Sequence, residues 1–454
     1  MTPNESLQKS IKLRDYLRVD FLKGLYSVFP YEVIEKYDPK KTRDRIYSCE
    51  NTVLTMVYSA TQEDKTLQNA VTIFGRVFED HSGRVIKEAE SAIELERKVD
   101  LENSQVRRGP KKKYKLKISK SIASAEVSSN TAAYSKARTR IDIDLLIEIF
   151  KKTRKNVESK DSWHGRKTYI TDGTYVQMQD TKELRELYEA KCNDAENPEA
   201  YPKALVQSII EQGSGLIYDY ALSNRRVSEL SLIYQLVESI PKGCLLLADD
   251  LYNSYAIFAM ARKHGFDLIV PGKRDRNFKV IEVLANGDEI VELEKTRQHP
   301  KWLPKEELLP AKLVLRRISF LSPDGTQTLV LYTTLLDKDI PQCDIILKYF
   351  TRWDIEITIR EVKTIMDINI LRGKTDDIVR KELVAAFIAY NLIRTLMVQS
   401  TLGTAFSPKT DLIQEFFESN NDVLMDSRGR VYTRWSPGRY GKAENKDPGS
   451  HHQQ

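Results

Sequence analysis

Apolar residues recur at helical spacing in LRDYLRVDFLKGLYSVF and again in AVTIFGRVF, so residues 1–106 are expected to be helical. A second helical stretch, SSNTAAYSKARTRIDIDLLIEIF, covers 128–150. Ser128, Ser129 or Asn130 can cap it, with Tyr134, Ala137 and Ile141 on one side and Lys136, Arg138 and Arg140 on the rest. From about residue 167 the period shortens. KTYITDGTYVQM alternates like a strand pair around Asp172-Gly173, and SGLIYDYALS reads as another strand. VSELSLIYQLVESI is an amphipathic helix, and CLLLADD is a short buried strand ending in Asp249 and Asp250. SYAIFAMARKHG is a helix stopping at Gly265, followed by the strand FDLIVPGK. Strands alternating with helices predict an α/β domain with a partly parallel sheet.

Residues 275–340 break that alternation. They hold two hairpin patterns, around Asn286-Gly287 and Asp324-Gly325, and read as a β-rich insertion. Helical pattern resumes in DIILKYFTRWDIEITIREVKTIM and KELVAAFIAYNLIRTLMV. The expected organisation is a helical N-terminal domain (1–106) and a basic linker and helix (107–160). An α/β core in two parts (161–274 and 341–403) follows around the insertion, then a polar basic tail (404–454).

Composition narrows the class. The 454 residues are 41% hydrophobic and 30% charged, a globular balance over a length that suits several domains. No apolar run approaches the ~18 residues of a membrane span, and MTPNESLQKS lacks the apolar core of a signal peptide. Cys49, Cys192, Cys244 and Cys343 have no zinc or redox spacing and read as scattered reduced thiols. A net charge of +6 permits a polyanionic partner without demanding one. The local clustering is more informative. RRGPKKKYKLK (107–117) carries seven basic residues and no acidic one. Such a run is a solvated charge stretch or a segment tracking DNA phosphates through Arg107, Arg108, Lys111, Lys112 and Lys113, with Tyr114 as a stacking group.

Two carboxylates end apolar runs: Asp172 after Tyr169-Ile170, and Asp249 after Leu245-Leu246-Leu247-Ala248. The carboxyl ends of strands are where α/β sheets place ligands. Carboxylates held close together repel unless protonated or metal-bound, and hard oxygen donors suit Mg²⁺ or Mn²⁺. Either site alone also reads as a plain turn or helix cap. A third element adds weight. Tyr349, Arg352, Glu356 and Lys363, at offsets 0, 3, 7 and 14, fall on one stripe of a helix. The same helix carries Ile345, Ile346, Ile355, Ile359 and Val362. A polar stripe on a packed helix suggests a lined cleft, although a solvated face with an i,i+4 Arg–Glu pair has the same pattern.

The spacing Y-x2-R-x3-E-x6-K, met by Tyr349, Arg352, Glu356 and Lys363, resembles the signature of the insertion-sequence DDE transposases named after bacterial insertion sequence four. ITDGTYVQMQDT and LLLADDLYNSY resemble that family's first and second catalytic blocks, with Asp172 and Asp249 as the two aspartates. The separations are 77 and 107 residues, and the strand-rich second gap matches the family's β insertion. The resemblance covers roughly 120–400. There are departures. Asp250 stands where the family has Arg, and Asp249 is preferred as ligand because it directly ends the apolar strand. Leu329 stands near the family's base-stabilising tryptophan, and the first hundred residues carry no family motif.

The resemblance implies a ribonuclease H-like α/β core interrupted by the β-rich insertion, with the helical N-terminal domain (1–106) binding DNA. It implies metal-dependent cleavage at transposon ends and strand transfer into target DNA by a cut-and-paste route with a hairpin intermediate. Asp172, Asp249 and Glu356 would hold two Mg²⁺ ions, replaceable by Mn²⁺, while Tyr349, Arg352 and Lys363 would contact DNA. The implied partners are double-stranded DNA (terminal inverted repeats and target) and a second copy in a homodimeric synaptic complex. The implied place is the cytoplasm, at the bacterial nucleoid. Alternatives are a ribonuclease H-like nuclease without strand transfer and a catalytically inactive DNA-binding repressor. A phosphatase reading of T-D-G-T (171–174) lacks its nucleophile, since Ile170 stands where an Asp would be needed.

Overall fold

The computed structural model describes residues 46–75, 130–154, 162–188, 201–224, 226–272, 277–321, 327–364 and 366–401. It also describes scattered positions among 21–37 and a strand pair, Leu424–Met425 with Val431–Tyr432. The basic run 107–117, with Arg107, Arg108, Lys111, Lys112 and Lys113, lies outside the described residues, as does most of the tail after 404.

Side-chain caps define the helices nearest the N-terminus. In α1 (Cys49–Ala60) the Ser48 hydroxyl accepts from the Asn51 amide at 3.2 Å. The stretch 128–150, read above as one helix, is two: α2 (Thr131–Arg140) and α3 (Ile143–Thr153). Asn130 caps the first from Ala132 N at 2.8 Å. Ile141 turns extended, and Asp142 starts the second by accepting from Asp144 N at 2.9 Å. Tyr134, Ala137 and Ile141 are buried as expected.

The core strands are β1 (Thr168–Gln177), β2 (Lys203–Glu211), β3 (Ile217–Asn224), β4 (Leu245–Leu247) and β5 (Asp267–Pro271). A short helix, α4 (Lys182–Tyr188), lies between β1 and β2, α5 (Glu229–Leu236) between β3 and β4, and α6 (Tyr255–His264) between β4 and β5. Gly265 ends α6 at φ 79°, the left-handed turn its sequence position predicts. The expected strand pair around Asp172-Gly173 is instead one continuous strand. β1 runs through Asp-Gly because β2 pairs with it without interruption from Tyr169↔Glu211 to Gln177↔Lys203. A long antiparallel partner overrides the local turn preference of Asp-Gly.

Strand β2 is antiparallel to both β1 and β3, whereas β4 and β5 run parallel to β1 on its other side. This 3-2-1-4-5 order is the ribonuclease H-like arrangement. The stretch 275–340 supplies β6 (Lys279–Val283), β7 (Glu289–Glu294), β8 (Lys312–Leu321) and β9 (Thr328–Thr333). They form no separate sheet. β9 pairs antiparallel with β5, and the meander extends the sheet to nine strands, ending at β6.

Period-two alternation puts apolar residues on both faces. Ile170, Leu245, Leu247 and Ile269 face one core, shared with α1, α2, α3 and the C-terminal helices α7 (Gln342–Phe350), α8 (Asp354–Thr364) and α9 (Asp376–Thr401). Tyr169, Leu246, Leu268 and Val270 face the other, under α5 and α6. The central strands are therefore buried on both sides. Although no single apolar run of spanning length stands out in the sequence, Asp376–Gln399 is long and apolar enough to cross a membrane. It is 78% buried inside the protein, which makes it the central core helix.

Candidate active site

The parallel pairing of β1 with β4 sets two aspartates side by side. The register runs Thr168↔Leu245, Tyr169↔Leu246 and Ile170↔Leu247, and the same offset takes Asp172 to Asp249. β4 stops at Leu247, and on that side β1 next pairs only at Gln177, which is bridged to Ile370. The Asp172 Oδ1 accepts from the Gly173 amide at 2.9 Å. Asp249 caps the tight turn Asp250–Tyr252, its Oδ1 accepting from Leu251 N at 2.9 Å. By alternation Asp172 shares the face of Ile170, the side covered by α7–α9.

The Tyr-Arg-Glu-Lys stripe does not lie on one uninterrupted helix. A tight turn, Thr351–Trp353, separates α7 from α8. Tyr349 ends up near the end of α7, Arg352 in the turn, and Glu356 and Lys363 on α8. Ile345, Ile355 and Val362 are buried, so both helices pack inward. Arg352 is 8% exposed. Its guanidinium stands 4.8 Å from the Trp353 ring centroid and 3.9 Å from Glu356 Oε1, and its Nε is buried without a hydrogen-bond partner. Lys363 Nζ donates to Thr174 Oγ1 at 3.1 Å, tying α8 to β1 two residues past Asp172.

The charges interact. Burial raises the Asp172 carboxyl above its ordinary value, and Asp249 and Glu356 push it further, against the Gly173 amide and Arg352. The Tyr349 phenol is raised by burial, pulled back by Arg352 and pushed up by Asp249 and Asp250. The fold thus gathers Asp172, Asp249, Glu356, Arg352 and Tyr349 within one electrostatic neighbourhood, with Lys363 at its edge.

One neighbour had no sequence signal. Glu229, in the first turn of α5, packs against Gly173 so closely that a Cβ there would lie 2.4 Å from the Glu229 Cδ. Its carboxyl is raised by burial, and further by Asp172 and Asp249, while the Tyr252 hydroxyl lowers it. The Tyr252 hydroxyl donates to Glu229 Oε2 at 3.1 Å and accepts from Gln207 Nε2 at 2.6 Å. A glutamate opening an amphipathic helix reads as an ordinary first-turn acid, so only the packing of α5 on β1 shows it.

The Transposase DDE domain family matches residues 163–392, half of the chain. The chain belongs to that family. The matched span holds Asp172, Asp249, Glu356, Tyr349, Arg352 and Lys363, and Glu229 as well. The transposase InsG for insertion sequence element IS4 of Escherichia coli (strain K12) is 27% identical over 278 residues, covering 59% of this chain and 61% of InsG. The chain thus matches less than two thirds of that relative's length. A cryo-EM structure of the piggyBac transposase synaptic complex with hairpin DNA aligns with 88% of this chain and 80% of its own, at 8% identity and a TM-score of 0.43. The insertion-sequence-four resemblance read from the Tyr-Arg-Glu-Lys spacing therefore stands.

In this DDE domain the donor set is one of hard carboxylate oxygens whose mutual repulsion at Asp172 is offset by the Gly173 amide and by Arg352. That chemistry fits a divalent cation. As the side chains stand, no three His, Cys, Asp or Glu among the described residues converge at coordinating distance. Glu356 is exposed and turned toward Arg352, so gathering it needs a side-chain rotation.

Proposed function

We propose that this protein is a DNA transposase, cleaving at transposon ends and joining the freed 3′ end to target DNA by a cut-and-paste route with a hairpin intermediate. The observation that carries this reading is the placement of Asp172 on β1 beside Asp249, two residues past the end of the parallel β4, with α8 bringing Glu356 of the Tyr-Arg-Glu-Lys spacing close enough to act on Asp172. Asp172, Asp249 and Glu356 would hold two Mg²⁺ or Mn²⁺ ions, which activate the attacking oxygen and stabilise the leaving 3′-oxygen. Arg352, with its unpaired buried Nε, supplies a fixed donor for a phosphate oxygen beside the carboxylates. Lys363 holds α8 to β1 through Thr174 and adds positive charge for the backbone. Tyr349, half-buried next to Arg352, offers an aromatic wall for the terminal nucleotides. Two protomers synapsing two ends, with double-stranded DNA read in part by residues 1–160, complete the proposal.

The test is cleavage of a labelled duplex carrying the element's own ends. Glu356→Gln is expected to lower Mg²⁺-dependent nicking on the order of 10²–10³-fold while DNA binding is kept. Equal nicking by both proteins would exclude Glu356 as a ligand. Nicking without joined products would favour a nuclease lacking strand transfer. For the basic run, replacing Lys111, Lys112 and Lys113 with Ala should reduce the salt slope of binding by about 0.9 for each lysine that meets a phosphate. An unchanged slope in a filter-binding titration removes that segment from the DNA path.

A further inference from the structure

The carboxylates described so far approach β1 from one face of the sheet. Alternation along the strand puts Ile170 and Asp172 on that face, and Tyr169, Thr171 and Gly173 on the opposite one. The opposite face carries its own polar assembly at the same level. Thr171 Oγ1 accepts from Gln207 Nε2 at 2.7 Å and donates to Ser208 O at 3.0 Å. The same Gln207 nitrogen reaches the Tyr252 hydroxyl, which bonds Glu229. Gln207 is fully buried and sits opposite Gly173 in the β1–β2 register, yet its Oε1 has no hydrogen-bond partner. Buried acceptors left open in an otherwise satisfied network are uncommon and mark places where a further donor is expected.

Two local facts let Glu229 act across the sheet. Gly173 has no side chain, and any Cβ would collide with the Glu229 carboxylate. β4 also ends at Leu247, so the β1 edge is unpaired on that side between Asp172 and Val176, before Gln177 bonds Asn369 and Leu371, and Asp249 leads into the Asp250–Tyr252 turn. Glu229 is only partly buried, unlike the fully buried Tyr252 and Gln207 that hold it.

We propose that Glu229 is a fourth carboxylate of the divalent-cation site, approaching from the α5 face while Tyr252 and Gln207 orient it. This rests on the transposase reading for the existence of the site, and adds to it a residue outside the Asp-Asp-Glu set. Glu229 contributes negative charge and an oxygen donor beside Asp172 and Asp249.

The experiment uses the full chain and Mn²⁺ alone, with bound ion measured by electron paramagnetic resonance and no DNA present. Wild type is compared with Asp172→Asn, Glu229→Gln and Glu229→Asp. Asp172→Asn should remove the site. Glu229→Gln should weaken Mn²⁺ binding about tenfold, the low end for residues that orient or supplement metal ligands. Glu229→Asp should recover part of the loss. In cleavage assays the Mg²⁺ concentration for half-maximal nicking should rise by a similar factor with DNA affinity unchanged. Gly173→Ala keeps every carboxylate but displaces Glu229, and should weaken Mn²⁺ in the same direction. It also reads the effect should Glu229→Gln fail to fold. Wild-type Mn²⁺ affinity in Glu229→Gln, or in Gly173→Ala, overturns the proposal and leaves the transposase reading standing. Equal binding by wild type and Asp172→Asn would remove the metal site itself, and the proposal with it.

Discussion

Two places in the nine-stranded sheet treat buried charge in opposite ways. In the β6–β9 meander, Arg316 and Asp288 are both fully buried and fully matched. Arg316 Nε and Nη2 donate to Asp288 Oδ2 at 2.8 and 2.5 Å, and Gln342 Nε2 donates to Oδ1 at 2.6 Å. Arg316 Nη1 donates to the Asp337 and Ile340 carbonyls at 2.9 and 3.0 Å. The pair therefore clamps β7, β8 and the chain entering α7. At the β1–β4 ends, carboxylates face one another instead, and the Arg352 Nε and Gln207 Oε1 are buried without partners. The meander matches the charges of this buried pair internally, although the Arg317 Nε on β8 is buried without a partner. The unmatched groups of the core gather around Asp172 and Asp249, and folded chains tolerate such conflict mainly at functional sites.

The largest expected effect lies at the matched pair. Asp288→Ala strands the Arg316 guanidinium in the core and should cost about 3–5 kcal/mol in denaturant unfolding. A loss under 1 kcal/mol would show that the clamp is not needed to hold the meander.

At the unmatched carboxylates the sign should reverse. Asp172 has its carboxyl raised in the folded state, so its contribution to stability is full below the unfolded value and is lost as pH rises through the folded one. At neutral pH the ionised group is a liability. Asp172→Asn should therefore raise Tm by a few degrees at pH 7–8 without metal, and the gain should vanish as pH falls through the carboxylate range. A lower Tm in the mutant at pH 7 would mean that Asp172 is already compensated.

The smallest effect is expected at Gln207. Its Oε1 has no partner to lose, so Gln207→Leu should shift stability by no more than about 1 kcal/mol, the Nε2 bonds being modest in net terms. A much larger loss would identify Gln207 as part of the structural core instead of the open site.

Much of the site was legible in the chain. Asp172 and Asp249 follow apolar runs that had to be strands, and the Tyr349, Arg352, Glu356 and Lys363 spacing is specific enough to point to a family. Three things were not legible. Asp172-Gly173 looked like a turn because Asp-Gly is a turn dipeptide, and only the long pairing with β2 keeps it extended. The stripe from Tyr349 to Lys363 looked like one helix because periodicity does not register a tight turn at Thr351–Trp353. Glu229 carried no signal at all, since its partner at Gly173 is 56 residues away in sequence.

The sequence by itself determined the alternation of strands and helices, the strand-end carboxylates and the family, because these depend on local periodicity and fixed spacing. The tertiary structure decided that the meander joins the core sheet through β9 and β5, that Asp249 comes close enough to act on Asp172, and that Glu229 reaches β1 from the far face. Each of these depends on strand register and on which face a helix covers, and register is set by pairing partners distant along the chain.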